Sequence, residues 1–161
     1  MKLLALDTGT HKCGYALFED DGLICSGVWR LYGDLDRRLG LLLENLSEMC
    51  QPVLPDLIAA EVPFVHPRTR KDTAIKLGQA VGMVKGWAWI HQVRVIEINP
   101  SSAKKALTGS GRATKFGVQG AVMAQFGIEA KEDEADAIAV GIAALAAIRL
   151  QDMLRQAESQ Q

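Results

Sequence analysis

Several features are missing from this chain of 161 residues, and each absence removes a class of protein. Its three cysteines, Cys13, Cys25 and Cys50, include no Cys-x-x-Cys pair, which argues against a disulfide framework or a zinc site. They read as reduced packing or surface thiols. No apolar run approaches the length of a bilayer span. The opening "MKLLALD" meets an acid too early for a secretory signal. Together these point to a cytoplasmic protein with no membrane partner. The chain has no internal repeat and no low-complexity block. Its formal net charge is −1, so bulk charge announces no nucleic-acid partner either. What is present, 48% apolar and 23% charged residues, is ordinary for one globular domain long enough to bury a core. The reading places that domain at residues 1–150 and a polar tail at 151–161.

The near-neutral total hides an uneven distribution. Between His66 and Lys115 ten lysines and arginines face two acids, Asp72 and Glu97. From Glu129 to Asp136 the balance reverses. A basic surface beside an acidic pocket produces this pattern, and so does ordinary solvated surface charge.

Periodicity supplies the elements. "KLLALD" reads as a buried strand, "GYALFED" as its hairpin partner, and "LICSGVWRL" as a third strand after the Asp21-Gly22 turn signal. "LDRRLGLLLENLSEMCQ" carries leucines at helical spacing and is followed by Pro52. "PDLIAAEVP" holds a fourth strand, and "PFVHPRTRKD" is a basic loop. "TAIKLGQAVGMVKGWAWIHQ" is a helix and "VRVIEINP" a fifth strand. "SSAKKALTG", "KFGVQGAVMAQFG" (closed by Gly127) and "EADAIAVGIAALAAIRLQDML" are further helices. The order β-β-β-α-β-α-β-α-α-α predicts an α/β fold: a mixed five-stranded sheet, three antiparallel hairpin strands first, with helices on its faces.

Two of these strands end on an acid. Asp7 closes the first and Glu61 the fourth. If the first helix is a crossover, those strands are parallel neighbours and their C-terminal ends share one edge. Asp133 and Asp136, at i and i+3 near the start of the last helix, share a helix face. Each acid has a plain explanation as well: an Asx turn for Asp7, a surface strand end for Glu61, helix-dipole compensation for the pair. Glu132 and Glu134 point elsewhere on the same turn and take that helix-start role. Gathered together, the four carboxylates repel unless a cation compensates them. Oxygen donors without His or Cys favour Mg²⁺, with Mn²⁺ as a substitute. Two such ions in one site hydrolyse phosphodiesters.

The stretches "ALDTGTHKCGYALF", "AAEVPF", "IKLGQAVG", "SSAKKALTGSGRATK" and "DEADAIAVGIAAL", in this order from Leu3 to Ile148, resemble the RuvC family of Holliday-junction resolvases, which has an RNase H-like fold. The resemblance implies that Asp7, Glu61, Asp133 and Asp136 bind two Mg²⁺ ions per site. It implies that Phe64 stacks on or wedges between bases, and that Lys104 and Lys115 lie near the scissile phosphate, offsetting charge there. Lys105, Arg112, Arg68 and Arg70 are then DNA-backbone contacts. It further implies that "TAIKLGQAVGMVKGWAWI" is the helix of a twofold dimer. The activity would be paired, symmetric nicking of four-way DNA junctions, leaving 5′-phosphate and 3′-hydroxyl ends. A branch-migration helicase as partner stays open. The chain departs from the family pattern at Thr8, where a proline is common, at Val81, where a basic residue is typical, and in "VHPRTRKD". It is also slightly short. These departures leave the carboxylates untouched and suggest a phage or prophage-encoded relative.

Three other readings compete. A nuclease of the same fold with broader taste, for branched DNA or RNA–DNA hybrids, needs the same acids. "DTGT" also occurs where actin-like ATPases fold around phosphate, but the chain shows no second phosphate loop. An inactive junction-binding module is disfavoured by the complete carboxylate set.

Overall fold

The first strand, β1 (Lys2–Thr8), alternates its side chains between two helix layers and is buried on both sides from Leu3 to Leu6. The computed structural model in which this is seen describes residues 1–51, 53–62 and 71–159. β2 (Lys12–Glu19) returns antiparallel to β1, and β3 (Gly22–Arg30) pairs antiparallel with β2. The chain then leaves the sheet in α1 (Leu35–Met49), whose N-cap Asp34 accepts the Arg37 backbone N–H at 2.9 Å. It re-enters as β4 (Leu57–Glu61), parallel to β1. α2 (Lys71–Ile90) leads to β5 (Arg94–Ile98), parallel to β4. Three helices follow: α3 (Pro100–Thr108), α4 (Lys115–Phe126) and α5 (Glu132–Glu158). The sheet order is β3-β2-β1-β4-β5. Element types, their order and the parallel β1–β4 neighbourhood agree with the expectation from sequence.

Strand parity separates two cores. Leu3, Ala5, Ala16, Phe18 and Ala59 face α3, α4 and α5. Leu4, Leu6, Cys13 and Ile58 face α1 and α2, where Leu42, Leu46, Val84 and Trp87 complete the layer. The indole N–H of Trp87 donates to Ser47 Oγ at 2.9 Å, tying α2 to α1.

Two details differ from expectation. By length and composition α5 is apolar enough to cross a bilayer, although no stretch was expected to be. The cause is its alanine-rich middle, Ala137 to Ile148, which holds no charge; here most of those residues lie against the sheet. α5 also runs past the expected end at Leu154 to Glu158, with Arg149–Ser159 exposed, because this polar end contains good helix formers and no breaker.

Candidate active site

Period-two alternation along β1 makes Asp7 the successor of Leu3 and Ala5, on the α5 face. The same alternation along β4 sends Glu61 to that face after Leu57 and Ala59. Because Leu6 pairs with Ala60 in the parallel ladder, the next residues along, Asp7 and Glu61, come side by side at the C-terminal edge. The backbone there is held one step further by the Val62 N–H, which donates to the Ile98 carbonyl at 2.9 Å.

The start of α5 covers this edge. It approaches closely because β2 presents Gly14 to it: a Cβ on Gly14 would stand 1.8 Å from the Asp133 carbonyl oxygen. Ser26 on β3 donates to Glu134 Oε1 at 2.7 Å, and the other oxygen of Glu134 accepts the Lys131 backbone N–H. Glu134 thus has the structural role expected of it. Glu132 has a further one, since it forms an ion pair with Lys115 at the start of α4.

The structure brings all four predicted carboxylates to one place. Burial pushes the Asp7 carboxyl up to about 8, with the negative charges of Glu61, Asp136, Asp133 and Glu132 adding to the shift. Burial also raises Glu61, to about 7, with Asp136 pushing the same way and Lys104 opposing. Asp136 is raised as well, by burial first, against the pull of Lys104. Lys104 on α3 is therefore the cation beside Glu61 and Asp136. Lys115 is exposed at the rim and paired to Glu132, while its charge still reaches Asp136 and Asp133. Lys105 and Arg112 are solvent-facing residues further along this side. Phe64, Arg68 and Arg70 lie outside the described residues.

A cleft of 430 Å³ opens here, lined in part by Asp7, Thr8, Lys12, Glu61 and Asp133. Its donor set suits a hard divalent cation: several half-buried carboxylates, mutually repelling, with no thiol or imidazole among them. The Thr8 hydroxyl next to Asp7 is buried without a hydrogen-bond partner among the described residues, a polar atom that a bound water would satisfy. As placed, no three acids among the described residues close on a common point within coordination reach. Binding one cation jointly would require them to rotate inward.

Sequence reasoning missed three features. Lys12 Nζ lies 3.5 Å from Asp133 Oδ2 and belongs to the cleft. The available signal was its parity with Gly14, Ala16 and Phe18, a charge in a row of core-facing positions. Arg38, buried within α1, donates to Nε2 of His11 and to the Asp34 carbonyl, which ties the β1–β2 turn to α1. No local pattern marks that contact. Phe116, next to Lys115, is 85% exposed, an aromatic at the rim of the site.

The family model for the crossover junction endodeoxyribonuclease RuvC matches residues 3–144. The crossover junction endodeoxyribonuclease RuvC of Nitratidesulfovibrio vulgaris is 36% identical over 155 residues, covering 92% of either chain. That of Trichlorobacter lovleyi is 35% identical over 153 residues, 88% of this chain and 83% of its own. The solved structure of Thermus thermophilus RuvC in complex with a Holliday junction substrate superposes with a TM-score of 0.79 at 25% identity, over 91% of this chain and 94% of that one.

Proposed function

The chain belongs to the RuvC family of crossover junction endodeoxyribonucleases, and from that premise we propose that it is a metal-dependent endonuclease that resolves four-way DNA junctions by paired symmetric nicks. One observation carries this reading: Asp7 and Glu61 end adjacent parallel strands on one face, beneath the acidic start of α5. We assign the work to one nuclease domain, residues 1–150, acting in the cytoplasm.

Asp7, Glu61, Asp133 and Asp136 would hold two Mg²⁺ ions. Bound there, Mg²⁺ would supply an activated water at neutral pH and positive charge for the leaving oxygen. Lys104, whose charge opposes the rise of Glu61 and Asp136, and Lys115, whose charge reaches Asp136 and Asp133, offset negative charge that builds on the phosphate. Lys105 and Arg112 contact the DNA backbone on the α3–α4 side. Phe64 contacts bases near the crossover, and Arg68 and Arg70 extend the backbone contacts.

The paired nicks require two copies. α2 offers the contact: Gly78, Gly82 and Gly86 are exposed in one row with open space where a Cβ would be. Ile75, Trp89 and Ile90 flank the row, 63%, 85% and 75% exposed. Mid-helix glycine costs about 1 kcal/mol relative to alanine. Three in a row on a solvent-facing side are explained by a second helix coming close, and twofold symmetry pairs that face with itself.

The test is direct. Purified protein is incubated with an immobile four-way junction or a linear duplex, in Mg²⁺ or EDTA, and the nicks are mapped. Symmetric nicks on the junction alone, requiring the cation, are expected. Equal cutting of flaps, forks or RNA–DNA hybrids would assign the same site a broader substrate range. Tight junction binding without cutting would reduce the chain to an accessory module.

A further inference from the structure

A second cleft, of 600 Å³, opens on the β2–β3 side of the acids, and it shares Lys12 and Asp133 with the first. Three cations converge on it: Lys12, Arg30 and Lys131. All three sit where local rules disfavour them. Lys12 and Arg30 are directly opposite in the β2–β3 ladder, an arrangement in which like charges repel. Lys131 occupies the N-cap of α5, at the positive end of the longest helix, where Ser, Thr, Asp or Asn is preferred. The acids nearby account for Lys12 but not for Arg30 and Lys131. Glu134 is held by Ser26 and the Lys131 backbone N–H, Asp133 faces Lys12, and Glu132 faces Lys115. Arg30 and Lys131 have no carboxylate partner among the described residues. Placements that break local rules together are expected at functional sites.

We propose that this second cleft carries the cut DNA strand past the acids, with Lys12, Arg30 and Lys131 contacting phosphates on one side of the nick. The proposal rests on the nuclease reading above and adds to it a path for the substrate. Lys104, Lys105, Arg112 and Lys115 serve the α3–α4 side; the β2–β3 cleft serves the other. Lys12, common to both clefts, contacts the phosphate nearest the cut. Arg30 and Lys131 contact those beyond it.

The experiment measures junction affinity by fluorescence anisotropy in EDTA across a salt series, for the wild type, Arg30→Gln, Lys131→Gln and the double variant. Arg155→Gln, in the exposed distal part of α5, controls for net charge. Each lost phosphate contact should make the slope of log affinity against log salt shallower by about 0.9, with the double variant losing about twice that. A parallel series on junctions with one neutral methylphosphonate near the mapped nick should weaken wild-type binding at particular positions and leave the double variant indifferent there. An unchanged slope in the double variant would overturn the proposal. An equal change from Arg155→Gln would do the same, by making the effect one of total charge. A wild type that neither binds nor cuts a junction would instead overturn the nuclease reading itself, so the two failures are distinguishable.

Discussion

The two faces of the sheet are built from different materials. Both contain large side chains, but the α5 face is the richer in small ones: Ala5, Ala16, Ala59, Ala137, Ala139 and Ala144 are buried there beside Leu3, Phe18 and Leu57, and Gly14 meets the helix backbone directly. The α1–α2 face is made of large ones: Leu4, Leu6, Trp29, Leu42, Leu46, Ile58 and Trp87. Small side chains let a helix axis come close, so the start of α5 can bring its acids to the ends of two strands. The outer surface of α2 is exposed at Gly78, Gly82 and Gly86. The proposed chemistry, which depends on precise placement, would use the α5 face; the proposed assembly, which needs a matching surface, would use the other.

Substitutions can separate the two faces. The largest effect is expected from Asp7→Asn, which should lower junction cutting on the order of 10³-fold while leaving junction binding measurable. Retained cutting would remove Asp7 from the site. Lys104→Ala should reduce turnover about 10²-fold through the loss of a fixed charge at the phosphate. A change confined to the salt slope would demote Lys104 to a backbone contact. Gly14→Ala breaks the close approach of α5. It should cost about 1–3 kcal/mol of stability and slow cutting more than it weakens binding, because it displaces Asp133 and Asp136. Gly82→Leu acts on the opposite face: sedimentation should show monomers at concentrations where the wild type is dimeric. Paired nicks should become single, with the thermal midpoint of the fold little changed. Dimers in that variant would move the interface off this row.

The smallest effect is a pH dependence belonging to the acidic face alone. In the metal-free folded chain Asp7 keeps its proton up to about 8 and Glu61 up to about 7. Unfolded, both lose it near pH 4. The folded state therefore binds more protons across this window, and stability falls as pH rises from about 4 to about 8. Melting temperatures in EDTA should decline over that range. Asp7→Asn should flatten the decline, and Mg²⁺ should raise the midpoint most at the alkaline end. A flat profile for the wild type in EDTA would show that burial and the neighbouring acids do not raise these carboxyls.

Much of this was legible in the chain. The end of β1 reads as a strand because Leu3 to Leu6 are apolar, and simple alternation puts Asp7 on the side of Leu3 and Ala5. The i, i+3 spacing of Asp133 and Asp136 places them on one helix face. Gly127 closes α4 in the left-handed region, as its position after an apolar run suggests. Features joining distant segments were not legible. Parity puts Lys12 on the core-facing side of β2, but it does not name Asp133, and nothing near Arg38 indicates His11, because both contacts cross between elements far apart in sequence. The extent of α5 was misjudged too, since a polar composition at its end does not by itself stop a helix.

Local order decided the elements, their order and the side of each strand on which the acids fall, because backbone alternation and helical pitch act over a few residues. The tertiary structure alone decided that α5 lies near enough to the sheet for its acids to raise the pKa values of Asp7 and Glu61, and that Lys12, Arg30 and Lys131 share a cleft. Those outcomes depend on how closely two surfaces pack, and packing distance is set by the side chains of both partners together.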